Sequence, residues 1–222
     1  MRQLLAGIHH FQEHVLPAQR ELFAQLARGQ HPQALFITCS DSRVVPNLIT
    51  NTELGELFLL RNVGNLVPAY HADTSSAAAV EFAVAVLKVP AIVVCGHSKC
   101  GAMDALLHPE KVKSFPSLTD WLGHAEVTRR VVVENYAQLN DDDRLNVAVQ
   151  ENVLAQLENL RTHPAVAVAL AQKRLALYGW VYKFETGEVF TYSPDLEQFV
   201  AVNGHASPDL AMPTGARAIQ SI

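Results

Sequence analysis

The chain has 222 residues, 49% of them apolar and 18% charged, with a formal net charge of -5. These values fit one α/β domain with a substantial core and exclude a disordered chain. The net negative charge and the lack of Lys/Arg-rich runs exclude a nucleic-acid-binding surface. The apolar stretch from Ala77 to Gly96 is interrupted by Glu81, Lys88 and Pro90, which excludes a membrane span of about 20 residues.

In chain order, residues 2–28 read as a helical arm, with apolar residues at 3–4 spacing and a break at Pro17. Pattern alone leaves open whether this arm packs on a partner subunit or on its own core. The opening 20 residues carry no apolar signal core with a small-residue cleavage site, so a cytoplasmic protein is expected. Ala34–Cys39 is an apolar run that predicts a buried parallel strand, and Glu56–Arg61 a second strand. Asp73 and Thr74 are capping residues ahead of a helix over Ser75–Leu87, whose Ala, Val and Phe content predicts burial on more than one face. Ala91–Cys95, closed by Gly96, predicts a third strand, with a short helix starting near Ser98.

Beyond Pro116 the pattern is helical over Ser117–Leu139 and Asp143–Arg161, and Pro164 opens another short helix. The Asp141-Asp142-Asp143 cluster reads as a helix N-terminus favoured by the macrodipole rather than as a cation site. Leu175–Phe184 and Val189–Tyr192 flank Glu185-Thr186-Gly187-Glu188, the pattern of an antiparallel hairpin at a sheet edge. The result is a mostly parallel central β-sheet flanked by helices, forming one domain over 1–200, followed by a weakly structured tail over 201–222.

Cys39, Cys95 and Cys100 are too few for a disulfide framework. Cys95 lies inside an apolar strand and reads as a buried, inert thiol. Cys39 and the pair His97, Cys100 instead follow two strands at their C-terminal ends, the edge where open parallel sheets bind ligands. Two thiolates and one imidazole make a plausible Zn²⁺ shell, and three protein ligands leave a fourth position open, as in catalytic zinc sites. Two thiolates also cancel the metal's charge, so a water there needs further help to lose its proton. Asp41 can accept a hydrogen bond from it, and Arg43 can hold Asp41 ionised. If the chain stays extended, positions 39, 41 and 43 face one side.

The segments Cys39-Ser40-Asp41-Ser42-Arg43 and His97-Ser98-Lys99-Cys100-Gly101 together resemble the zinc signature of the β-class carbonic anhydrases. The likeness extends to Gln30, Gly55–Phe58, Arg61–Asn65, Glu81–Val84, Glu151–Val153, Leu160–Pro164 and Gly179–Tyr182, covering roughly residues 1–195. It implies one Zn²⁺ per subunit on Cys39, His97 and Cys100, with Asp41 and Arg43 as the catalytic pair. It implies reversible hydration of carbon dioxide to bicarbonate by a zinc-bound hydroxide, in a homo-oligomer, dimer or dimer of dimers, built with the N-terminal helices. Gln30 would reach substrate across the dimer interface, while Phe58, Val63, Phe82 and Gly101 would line the substrate pocket. Phe82 stands where plant-like members carry Tyr, so that hydroxyl is lost here. Bicarbonate-regulated members have Trp and Gly where this chain has Phe36 and Thr38; with Arg61 alone retained, the resemblance implies the always-open, unregulated type. A bacterial microcompartment is a second location that the resemblance allows.

Three rivals stand beside this reading. One is a carbonyl sulfide or carbon disulfide hydrolase on the same scaffold, and another a non-catalytic assembly protein with structural zinc. The third, a redox thiol protein, lacks the C-x-x-C spacing such chemistry uses.

Overall fold

The structure is a computed structural model that describes residues 1–202. It divides into two units, Met1–His31 and the chain from Pro32 onward. In the first, α1 (Arg2–His10) runs through a π turn at Phe11–Val15 into the short α2 (Leu16–Ala18), and α3 (Arg20–Leu26) follows. The break falls at Gln19 (φ -116°, ψ 24°), not at Pro17 as expected. Pro17 has no N–H to donate one turn back, and its ring crowds the carbonyl four residues earlier. The wider π turn just before it absorbs that misfit. Within this unit the rings of Phe11 and Phe23 meet edge-on, 5.6 Å between centroids.

The second unit is built on six strands: β1 (Ala34–Cys39), β2 (Leu57–Asn62), β3 (Ala91–His97), β4 (Ala176–Tyr182), β5 (Val189–Ser193) and β6 (Gln198–Ala201). Their order is β2-β1-β3-β4-β5-β6, parallel from β2 to β4 and antiparallel beyond. The predicted mostly parallel sheet with an antiparallel end is therefore present. Beyond β5, the strand β6 forms the sheet edge; its four residues are too short a run to stand out as a pattern. Of the tail expected over 201–222, Ala201 closes β6, and residues 203–222 lie outside the described residues.

Between the strands run α4 (Pro46–Thr50), α5 (Thr74–Glu81), α6 (Gly101–Leu107), α7 (Pro116–Leu122), α8 (Glu126–Asn135), α9 (Asp141–Arg161) and α10 (Pro164–Ala171). The helix expected over Ser117–Leu139 is split into α7 and α8 by a 3₁₀ turn at Gly123–Ala125. Asn140 caps α9, accepting the N–H of Asp143, with the three aspartates in the first turn where the helix dipole favours them. α5 differs from expectation. Ser76, Val80, Ala83 and Val84 form a single buried stripe along it and the π turn that follows, whereas Phe82 is 43% and Val86 61% exposed. The small apolar side chains made a one-sided helix look all-round.

β3 continues through Gly96 to His97, longer than predicted, because glycine here is a packing requirement and not a stop. A Cβ on Gly96 would lie 2.9 Å from Val149 and 3.0 Å from Val153; one on Gly179 would lie 2.9 Å from Leu157 and from Val153. Helix α9 presses its apolar side chains into these two gaps. The opposite sheet face carries Phe36, Val93 and the buried Cys95, with Tyr178, Trp180 and Tyr182 packed on them.

Polar side chains of the buried α9 serve the connection after β2. Asn152 donates to the carbonyl of Gly64 (2.9 Å). Gln156 accepts the N–H of Val67 (2.8 Å), and Asn159 donates to its carbonyl (2.9 Å). Leu66 and Val67 are fully buried without regular structure, so the α9 amides at Val67 and the Asn62 side chain at Leu66 supply the partners a ladder would have given. No helix among the described residues is long and apolar enough to cross a membrane.

Candidate active site

β1 and β3 are neighbours in the sheet, which brings the two sequence motifs to one edge. The Sγ of Cys39, a ring nitrogen of His97 and the Sγ of Cys100 all lie within 4.8 Å of one another, and all three residues are buried. That is a span one small ion bridges. The His97 tautomer is set by its neighbour: Nδ1 lies 2.9 Å from the carbonyl of Ser98, which can only accept, so Nδ1 carries the proton. Nε2 is then a buried lone pair with no hydrogen-bond partner. An orphaned imidazole nitrogen facing two thiols fits Zn²⁺, whose ligands are thiolate sulfur and neutral imidazole.

One of the two thiols already leans toward ionisation. A hydrogen bond shared with Cys100 outweighs burial and, with the backbone N–H groups of Gly64 and Asp41, holds the Cys39 thiol well below its ordinary range. The same shared bond, with burial, pushes Cys100 well up. Cys95 is pushed up to about 12 by burial, as an inert thiol should be.

After Cys39 the chain does not stay extended. It turns, so that Arg43 folds back on Asp41: its N–H and Nε donate to Oδ1 (3.0 and 2.9 Å), and Nη2 donates to Oδ2 (2.7 Å). The two-residue spacing thus makes a bidentate pair through a turn rather than along a strand. The Arg43 fork holds the Asp41 carboxyl far below the usual carboxylate range, against the pull of partial burial. Asp41 Oδ2 is 3.9 Å from His97 Nε2, which places the carboxylate beside the ligand cluster. Arg61 fastens the turn from below, donating to the carbonyls of Cys39 (3.0 Å) and Asp41 (2.8 Å).

The residues expected to line the pocket are placed separately. Val63 follows β2 directly, its carbonyl accepting from Trp121 (2.7 Å), and the N–H of the next residue, Gly64, donates to Cys39 Sγ (3.4 Å). Phe58 stands opposite Leu35, four residues before the Asn62–Cys39 rung, and its ring pairs with Phe82 at 5.8 Å. Gly101 opens α6 directly after Cys100, with open space where a Cβ would be. Gln30 is exposed near the end of the first unit.

Four contacts were not legible beforehand. Gly64 reaches the sulfur through its backbone, which no residue type announces. Ser98 and Glu185 hydrogen-bond (2.7 Å), and Phe184 lies against both His97 and Arg43. The sequence places Phe184 at the end of a strand and Glu185 in a loop, whereas β4 ends at Tyr182 and the turn after it brings both residues in.

A family model described as carbonic anhydrase matches residues 34–189. A carbonic anhydrase of Synechococcus elongatus is 49% identical over 195 residues, covering 87% of this chain and 72% of that protein. Among solved structures, the β-carbonic anhydrase CcaA superposes with a TM-score of 0.89 at 47% identity, covering 92% of this chain and 93% of that one. A tetrameric β-carbonic anhydrase of Sordaria macrospora gives a TM-score of 0.76 at 29% identity, over 86% and 95%. The motifs, the parallel sheet that joins them and these likenesses agree, and the chain belongs to the β-carbonic anhydrase family.

Proposed function

We propose that the chain is a zinc enzyme that hydrates carbon dioxide reversibly to bicarbonate, with Cys39, His97 and Cys100 as ligands and Asp41 and Arg43 as its working pair. The observation that carries this is the buried convergence of two thiols on an imidazole nitrogen that has no other partner. Zinc bound there supplies Lewis acidity, which makes water nucleophilic near neutral pH. Asp41, held ionised by Arg43, is purely an acceptor, so it takes the O–H of a water beside the ligand cluster and orients it. The Gly64 N–H stabilises charge on Cys39.

The always-open form follows from the same pairing. Both Asp41 oxygens are engaged by Arg43. A regulatory bicarbonate site is not expected either. Phe36 is buried against Trp180, and Thr38 donates to the carbonyl of Cys95 (2.9 Å). Strong inhibition by bicarbonate at a second site would overturn this.

We further read the enzyme as a homodimer or dimer of dimers in which Gln30, Phe58 and Phe82 complete the carbon dioxide pocket. In support, Phe82, Val86 and Leu59 leave apolar surface exposed in a single chain.

The test is stopped-flow carbon dioxide hydration by purified protein, before and after zinc removal and readdition. Fast hydration that vanishes and returns with zinc is expected. Silence from fully metallated protein across pH 7 to 9 would sink the reading.

A further inference from the structure

The turn joining β4 to β5 touches the site at two points that the proposed reaction does not use. The half-buried ring of Phe184 lies 5.1 Å from the His97 ring, centroid to centroid. The guanidinium carbon of Arg43 sits 4.3 Å over the centre of the same Phe184 ring. The ring is held from behind. Its backbone N–H donates to the Ser98 hydroxyl (3.0 Å), which donates in turn to Glu185 (2.7 Å). The edge of Tyr182 closes in at 5.3 Å. Ser98 also fixes the imidazole, since its carbonyl accepts from His97 Nδ1 (2.9 Å) while its own N–H is spent on the carbonyl of Tyr182 (2.8 Å). One buried serine thus ties the turn, the aromatic plate and the imidazole together.

We infer that Phe184 is a positioning residue, a π-face over which the Arg43 guanidinium is held so that its Nε–H and Nη2–H groups meet Asp41, with the Ser98–Glu185 hydrogen bond locking that face in place. This rests on the reading of Asp41 and Arg43 as the working pair. The physical need is plain. The Arg43 side chain is 52% exposed, and a half-exposed arginine has many rotamers of which the bidentate fork is one. Among the described residues, Lys99, whose carbonyl accepts from Nη2 at 3.3 Å, is the remaining hydrogen-bond partner of the guanidinium besides Asp41 itself. A planar cation over an aromatic face is attracted by the ring quadrupole, and stacking selects the orientation that an aliphatic neighbour of similar bulk leaves free.

The test compares zinc-loaded full-length Phe184→Leu, Phe184→Tyr, Glu185→Ala and Arg43→Lys, plus the Phe184→Leu/Arg43→Lys double variant. It reads kcat and KM by stopped flow, thermal midpoint, and the Nε–H resonance of Arg43 by NMR. Phe184→Leu is expected to lower kcat roughly 2–5-fold, the size of a partly exposed cation–π contact, with KM and the midpoint close to wild type. Phe184→Tyr keeps the π-face and restores kcat. The Nε–H resonance loses its ring-current shift in the Leu variant and keeps it in the Tyr variant. Glu185→Ala, at an exposed residue, moves kcat in the same direction by less, and carries the test if Phe184→Leu does not fold. In the Arg43→Lys background, Phe184→Leu costs nothing further.

Wild-type kcat in Phe184→Leu beside an impaired Arg43→Lys sinks the role of Phe184 alone. A loss that persists undiminished in the double variant does the same. Wild-type kcat in Arg43→Lys sinks the Asp41–Arg43 reading, and this inference with it.

Discussion

In the proposed reaction Asp41 serves as an acceptor and nothing else. Its two oxygens take three hydrogen bonds from Arg43, and that fork keeps the carboxyl ionised far below its ordinary range. Asp41→Asn keeps the shape and presents an amide N–H₂ where a lone pair was. Either that group faces Arg43 and the fork is lost, or it faces the ligand cluster and a donor replaces the acceptor. The expected loss in kcat is about 10–100-fold, the usual cost of disturbing a group that orients a metal site, with the zinc content unchanged. Elemental analysis beside stopped-flow rates checks it; a near-wild-type rate would remove Asp41 from the reaction. The cluster of Cys39, His97 and Cys100 was legible in sequence because each is a reactive residue type at the end of an apolar run. Gly64 and Phe184 were not, since one acts through a backbone N–H and the other through a ring face whose direction only the folded turn sets.

At the scale of elements, the long helix α9 links core and site. Its valines and Leu157 fill the gaps at Gly96 and Gly179, and its Asn152 holds the carbonyl of Gly64, whose N–H meets Cys39. Asn152→Ala leaves that buried carbonyl short of a partner, a cost of about 1–3 kcal/mol, and frees the peptide to drift off the sulfur. Two readouts are expected to move together: a lower thermal midpoint, and faster loss of zinc to a chelator. Unchanged zinc retention in a destabilised variant would separate the loop from the metal site.

Helix α5 offers a pH test. Partial burial opposes charge on its N-cap Asp73, yet the N–H groups of Ser76 and Ser75 win and hold the carboxyl below its ordinary value. A depressed folded-state pKa stabilises above the unfolded value, about 3.9, and loses that contribution as pH falls through the folded value. Asp73→Ala is expected to cost about 1 kcal/mol at neutral pH. Asp73→Asn keeps the cap, and its stability gap to wild type closes below about pH 4. Denaturant midpoints across pH 3 to 7 check both. The strand runs of β1 and β3 and the Asp73 cap were readable because burial and capping leave local patterns. The exposed face of α5 was not, because alanine and valine in sequence do not say which side meets solvent in a lone chain.

For the whole molecule, the first unit poses the plainest question. Along α1 and the turn after it, Leu4, Leu5, Ile8 and Phe11 are 67%, 52%, 51% and 38% exposed. They recur at helical spacing and form one apolar stripe, more than a water-facing helix leaves uncovered. A second copy of the chain as the cover agrees with the proposed dimer. Leu5→Glu/Ile8→Glu places two charges in that stripe without touching any residue of the ligand cluster. The double variant is expected to sediment as a smaller species at micromolar concentration than the wild type does. Its carbon dioxide hydration should fall as well, because Gln30, Phe58 and Phe82 are proposed to complete the pocket in the assembly. Zinc content is expected to hold, since all three ligands belong to one chain. A variant that keeps the wild-type sedimentation coefficient would show that the stripe is not the interface. One that dissociates yet hydrates at full rate would confine the whole pocket to a single subunit.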